Sequence, residues 1–161
     1  MDDALEDFRR TIEATAERLL RIPEAESQLP KAEGKWSAKE IIGHLIDSAA
    51  NNHQRFVRAQ LADDLVFSGY DQEAWVRVQH YDREPWHLLI GLWKSYNLHL
   101  LHVMSCAPAD VREKLRTTHN LDLIAWQTVS KDEAVTLEYF MRDYIEHLKN
   151  HLTQILPDGQ G

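Results

Sequence analysis

Four stretches of the chain repeat apolar side chains at the three- and four-residue spacing of a helix, and no alternating strand pattern competes with them. The first predicts a helix from about Asp2 to Ile22, stopped by Pro23, with Leu5, Phe8, Ile12, Leu19 and Ile22 on one face. The second starts behind Ser37, whose partner Glu40 three residues on completes a capping box, and continues to about Ala62. The third opens near Pro85 and ends at Pro108, with Leu89, Trp93, Tyr96, Leu100 and Val103 along a stripe. The fourth runs from about Thr136 to Pro157 and carries Leu137, Met141, Tyr144, Leu148, Leu152 and Ile155.

The connections set the expected topology. Residues 23–36 form a short loop, which predicts that the first two helices are antiparallel neighbours. Residues 63–84 and 108–135 exceed the about 2–8 residues usual between bundle helices. A long 63–84 segment suits a crossover, so that helices two and three run parallel and the order is up-down-down-up. Short extra helices are expected over Asp71–Val78 and near Asp110–Leu115. The expected fold is therefore all-α, a four-helix bundle forming a single domain over residues 1–161.

Composition narrows the class. With 161 residues, 43% hydrophobic and 27% charged, the chain can bury a core without a disulfide or a structural metal. Cys106 is the one cysteine; it has no partner within the chain, fits a reducing compartment, and is expected as a small core residue. The acidic Met-Asp-Asp-Ala-Leu-Glu-Asp start lacks the pattern of a signal peptide, and no apolar run approaches the ~20 residues of a membrane span, so a soluble cytoplasmic protein is expected. A formal net charge of −8 with scattered Lys and Arg argues against binding nucleic acid through its phosphates. The expected partner is a small molecule.

Nine histidines stand in the sequence, and most call for no function. His87 and His102 fall away from the apolar stripe of helix three, His99 at its edge; His53 is off the inner line of helix two, and His80 and His119 lie in connections. His147 and His151 differ. Four apart, they project from one helical face, on a line with Phe140, Asp143 and Gln154 that borders the apolar stripe. On helix two, at ~100° per residue, His44, Ser48, Asn51 and Arg55 form a matching line beside Ile41, Leu45, Asn52 and Phe56. Two polar lines bordering one core predict a pocket. His44 lies as far from the start of its helix as the His147–His151 pair lies from the end of theirs, so in antiparallel helices the three rings share a level. In a simple up-down-up-down bundle they would be offset by roughly 9 Å at ~1.5 Å per residue.

Three imidazoles with open positions describe a catalytic rather than a closed structural metal site. Zinc, nickel, iron and copper all accept imidazole, with zinc or nickel expected first. Asp47 and Asp143 are the expected acceptors for the remaining ring N–H groups. Other constellations are missing: no HExxH occurs, the one ExxH at Glu84–His87 spans a helix start, and Cys106 has no activating neighbour in sequence.

The segments Gly34–Ser48, Asn51, Arg55, Tyr70–Trp75 and His147–Ile155, with their W-S-x-x-E-x-x-x-H and H-x-x-x-H patterns, resemble the DinB/YfiT-like metalloenzymes, and Asn51, Arg55 and Y-D-x-x-A-W resemble the bacillithiol-transferase-like branch. The resemblance implies a four-helix bundle, often a homodimer, with a metal held by His44, His147 and His151. It also implies chemistry on a low-molecular-weight thiol such as bacillithiol or mycothiol, or metal-dependent hydrolysis. The expectation is thus a metal-dependent S-transferase that lowers the pKa of a bound thiol, with Asn51 and Arg55 holding the thiol or substrate, Arg55 through a carboxylate. A metal-dependent hydrolase shares the same site. A non-catalytic metal-binding or stress-response bundle is the alternative.

Overall fold

A computed structural model describes residues 1–157; residues 158–161, the last of the expected domain, lie outside the described residues. The long helices are α1 (Asp2–Leu19), α3 (Ala38–Ala59), α5 (Trp86–Cys106) and α8 (Leu137–Ile155). Between them stand α2 (Glu24–Ser27), α4 (Gln72–Gln79), a 3-10 turn at Tyr81–Arg83, α6 (Ala109–Glu113) and α7 (Leu121–Ile124). No named strand occurs among the described residues, and none of their helices is long and apolar enough to cross a membrane. The helices expected at Asp71–Val78 and Asp110–Leu115 correspond to α4 and α6; α2 and α7 are too short to show a period.

Local chemistry sets the helix starts. The Ser37 hydroxyl accepts from the Glu40 N–H, and the Glu40 carboxylate accepts from the Ser37 N–H at 2.7 Å, closing the capping box. The Thr136 side chain caps α8 by accepting from the Tyr139 N–H at 3.0 Å. In the core, the Tyr144 ring of α8 meets Phe8 of α1 and Phe56 of α3 edge-on, at centroid distances of 6.1 and 6.0 Å. Its hydroxyl donates to Asn97 of α5 at 2.6 Å, so one buried side chain ties all four long helices.

α1 and α3 each pack against α5 and α8 and stand at opposite corners of the bundle. The expectation that these two sequential helices are packed neighbours is therefore corrected. The 20–37 connection, which contains α2, is long enough to cross the bundle end rather than make a tight turn.

Contacts between helix ends give directions. The buried Lys39, at the start of α3, donates to the Asp82 and Glu84 carbonyls just ahead of α5, and also pairs with Glu24. His53, late in α3, lies against Tyr96 and His99 in the second half of α5. By these contacts α3 and α5 run the same way. Phe56 meets Phe140 at the start of α8 while His44 meets His147 and His151 near its end, so α3 and α8 run oppositely. The Trp86 indole donates to the Leu19 carbonyl, joining the start of α5 to the end of α1. Residues 60–85 accordingly travel back along α3, and both α4 and the 3-10 turn pack on it.

That return demands a close approach at Gly43. A Cβ there would lie 2.1–2.5 Å from ring atoms of the buried Tyr81. Gly43→Ala is expected to displace Tyr81, break its 2.7 Å bond to Asp47, and destabilise the protein by about 1–3 kcal/mol. Gly91→Ala on α5, where nothing lies within 4 Å, is expected to be stabilising by roughly 0.5–1 kcal/mol. Urea unfolding of both variants checks the pair; equal effects would contradict the close approach.

Candidate metal centre

The antiparallel pairing of α3 and α8 brings His44, His147 and His151 together: one ligand nitrogen from each lies within 4.8 Å of the others. His44 is fully buried, and the other two are half-buried. The Nε2 atoms of His44 and His147 are 3.4 Å apart. At the about 2.0–2.1 Å usual for zinc–imidazole bonds, that separation subtends an angle of about 110°, close to tetrahedral. Nδ1 of His44 and Nδ1 of His151 are buried with no hydrogen-bond partner among the described residues. An ion held through the Nε2 atoms of His44 and His147 leaves the His44 Nδ1 unpaired, so the fit rests on the convergence of three imidazoles and not on that atom. The donor set and its spacing fit a divalent metal.

Burial makes these rings resist protonation. His44 is lowered to about 4 by loss of solvent and by the neighbouring His151. His147 is lowered to about 3 by loss of solvent, then by His151 and His44. His151 is lowered by burial, opposed by a hydrogen bond with Gln154. The indole of Trp36, 5.2 Å from the His44 ring, covers one side, and Trp126, 6.5 Å from His147, stands at another. Neutral imidazole is the form that binds metal.

His147 and His151 also line a cavity of about 330 Å³. Ser48, Asn52 and Arg55 of α3 form its polar wall; Phe140, Ile124 and Trp126 contribute apolar surface. Arg55 is buried, donates to the Ser68 carbonyl at 2.9 Å and to Asn52 Oδ1 at 3.4 Å, and has its pKa lowered by burial. Tyr70, pushed up to about 12 chiefly by burial, completes the wall near Arg55.

Three expected roles need correction. Asn51 does not line the cavity: its amide donates back to the Asp47 carbonyl at 2.9 Å, and Asn52, the next residue, faces inward instead. Asp47 holds no ring N–H; its Oδ1 accepts from Gln79 Nε2 at 2.8 Å and from the Tyr81 hydroxyl at 2.7 Å. Asp143 holds none either, accepting from the backbone N–H groups of Trp126 at 2.9 Å and Gln127 at 2.7 Å. Burial raises the pKa of both acids. Helical spacing placed these acids beside the histidines, but the long connections deliver nearer donors that no helical count reveals. Asn52, Tyr70 and Trp126 were not singled out as site residues from spacing. Asn52 is one helical step from the expected line, and the other two lie in aperiodic segments.

The remaining histidines and the cysteine are outside the centre. His119 is structural: its Nε2–H donates to the Glu133 carbonyl at 2.7 Å and its Nδ1 accepts from the Leu121 N–H. Cys106 is exposed rather than in the core, because it stands off the buried stripe of Leu101, Met104 and Ala107, on the outer face with His102.

The lowered imidazoles make a pH prediction. Their unfolded pKa is near 6.5 and their folded values are lower, so the unfolded chain takes up protons first. Metal-free protein should be fully stabilised above pH ~6.5 and should lose stability progressively as pH falls from there toward ~3. His44→Gln should flatten that loss. Urea midpoints across the window test this, and a wild-type profile with no histidine-dependent slope would contradict it.

Three comparisons place this geometry. A search of curated protein sequences finds no match. Among solved structures the chain is similar to YfiT from Bacillus subtilis, described as a probable metal-dependent hydrolase with an unusual four-helix bundle topology. The TM-score is 0.77 at 16% identity, covering 96% of this chain and 82% of that one, which establishes likeness of fold. The sequence profile of the DinB superfamily matches residues 7–155. The chain belongs to the DinB superfamily.

Proposed function

We propose that this protein is a metal-dependent enzyme in which His44, His147 and His151 hold one divalent ion, zinc or nickel, and in which the substrate enters the cavity beside them. The observation that carries the reading is that two of the three clustered histidines form part of the wall of a cavity large enough for a small molecule. A structural ion would be closed off by protein on all sides.

The reaction proposed is transfer of a low-molecular-weight thiol to or from an electrophilic carbon. A bound divalent ion would supply Lewis acidity, stabilising a thiolate at neutral pH. The chain's own residues do the rest. The three rings, held neutral by burial, offer nitrogen lone pairs without competing protons. Trp36 and Trp126 restrict water around the rings. Arg55, Asn52 and Ser48 orient the substrate from the α3 wall of the cavity. Metal-dependent hydrolysis is the second reading, favoured by the description of YfiT. The two differ only in whether thiol or water attacks. A homodimer belongs to the same proposal, and the exposed Leu88 and Leu92 on α5 support it by offering apolar surface for a second copy.

Removing the metal should separate catalysis from folding. His147→Ala, or a chelator on the wild type, is expected to abolish transfer or hydrolysis. The helical circular dichroism spectrum should be retained and the melting temperature lowered by about 5–10 °C, as loss of a ligand held well above its Kd implies. Outright unfolding by chelator would make the ion structural. Activity indifferent to both treatments would contradict the metal enzyme and favour a non-catalytic bundle. Parallel assays with several thiols and with activated esters distinguish transfer from hydrolysis.

A further inference from the structure

Arg55 is 7% exposed, and no carboxylate pairs with it among the described residues. Its hydrogen bonds go to two neutral oxygens, the Ser68 carbonyl and the Asn52 side chain. A guanidinium keeps its charge at any working pH, and a buried charge without a counter-charge is costly to hold. The acid that shares its cavity, Asp143, already gives both oxygens to the N–H groups of Trp126 and Gln127. Asp47 is not among the residues lining this cavity; its Oδ1 accepts from Gln79 and Tyr81. The buried cation thus faces the cavity with no anion of its own.

Position along the helix adds a length. Arg55 stands about three turns, roughly 16 Å, further along α3 than His44. The same cavity is lined by Arg55 and by His147 and His151, with Phe140 and Ile124 among its apolar lining. Among the described residues no lysine and no second arginine lines it. One guanidinium with a planar fork suits a singly charged carboxylate.

Building on the metal-centre reading above, we propose that the ligand is an extended carboxylic acid. Its carboxylate is anchored by Arg55, and its reacting group reaches the three histidines from the far end. On this account Arg55 sets specificity: it selects acids over neutral analogues and selects one spacer length over shorter and longer ones. In the transferase reaction this describes a thiol whose carboxylate is remote from its sulfur.

The test uses cobalt(II)-loaded protein and a series of ω-mercaptocarboxylic acids of increasing spacer length, each beside the mercaptoalcohol of equal length. Thiolate binding to cobalt is read from the sulfur-to-cobalt charge-transfer absorption, without turnover. The expected result is a preference of about ten- to a hundredfold for the acid, maximal at one spacer length. Arg55→Met should abolish the preference while leaving the cobalt spectrum of the ligand-free protein unchanged, and Arg55→Lys should retain part of it. The wild-type comparison of acid with alcohol needs no variant, so it decides the matter even if Arg55→Met does not fold. Equal binding of acids and alcohols would overturn the assignment of Arg55 and leave the metal centre standing. Failure to load cobalt, or no charge-transfer band with any thiol, would overturn the metal-centre reading and this inference with it.

Discussion

The relative direction of α3 and α8 is the constraint on which the centre depends. His44 sits near the start of its helix, and His147 and His151 near the end of theirs. Only opposed helices put such positions at one level, because each residue advances a helix by about 1.5 Å. The aromatic contacts show the opposition directly, with Phe56 against Phe140 at one end and His44 against His147 at the other. The 60–85 crossover makes this possible within a four-helix bundle, since it returns the chain to the start of α3 before α5 begins. The Lys39 ammonium, bonded to the Asp82 and Glu84 carbonyls, holds the end of that return in place.

The crossover also builds the surroundings of the site. Its Tyr81 packs over Gly43, one residue before His44, and bonds to Asp47, three residues after it. Its Ser68 carbonyl accepts from Arg55, and its Tyr70 lines the cavity. On the other side, Asp143 draws the Trp126–Gln127 backbone onto α8, one turn before His147. Asp47 and Asp143 therefore act on the centre by fixing the segments that enclose it, rather than by bonding to its rings. Enclosure is what depresses the histidine pKa values, so the same packing that excludes water keeps the nitrogens available to an ion.

Much of this was legible in the chain because helices carry a period. The four apolar stripes, the Ser37–Glu40 capping box and the two polar lines containing His44, His147 and His151 all follow from spacing alone. The length of the 63–84 connection supplied the crossover, and with it the agreement in level. What escaped lies where no period operates. The diagonal placement of α1 and α3 depends on how residues 20–37 cross the bundle end. The partners of Asp47 and Asp143 come from the two long connections. Asn52 rather than Asn51 faces the cavity, because one residue turns a helix by ~100° and the exact axis of the stripe is set by packing. Arg55 was legible as a polar residue on the line, but its lack of an acidic partner is a property of the folded chain.

The central claim is that three imidazoles from two opposed helices share one ion. X-ray absorption on protein loaded with one equivalent of zinc or nickel tests it most directly. The account predicts three imidazole nitrogens at about 2.0–2.2 Å, with one fewer after His44→Ala. Absence of stoichiometric binding, or a first shell containing no imidazole that is unchanged by the substitution, would contradict it.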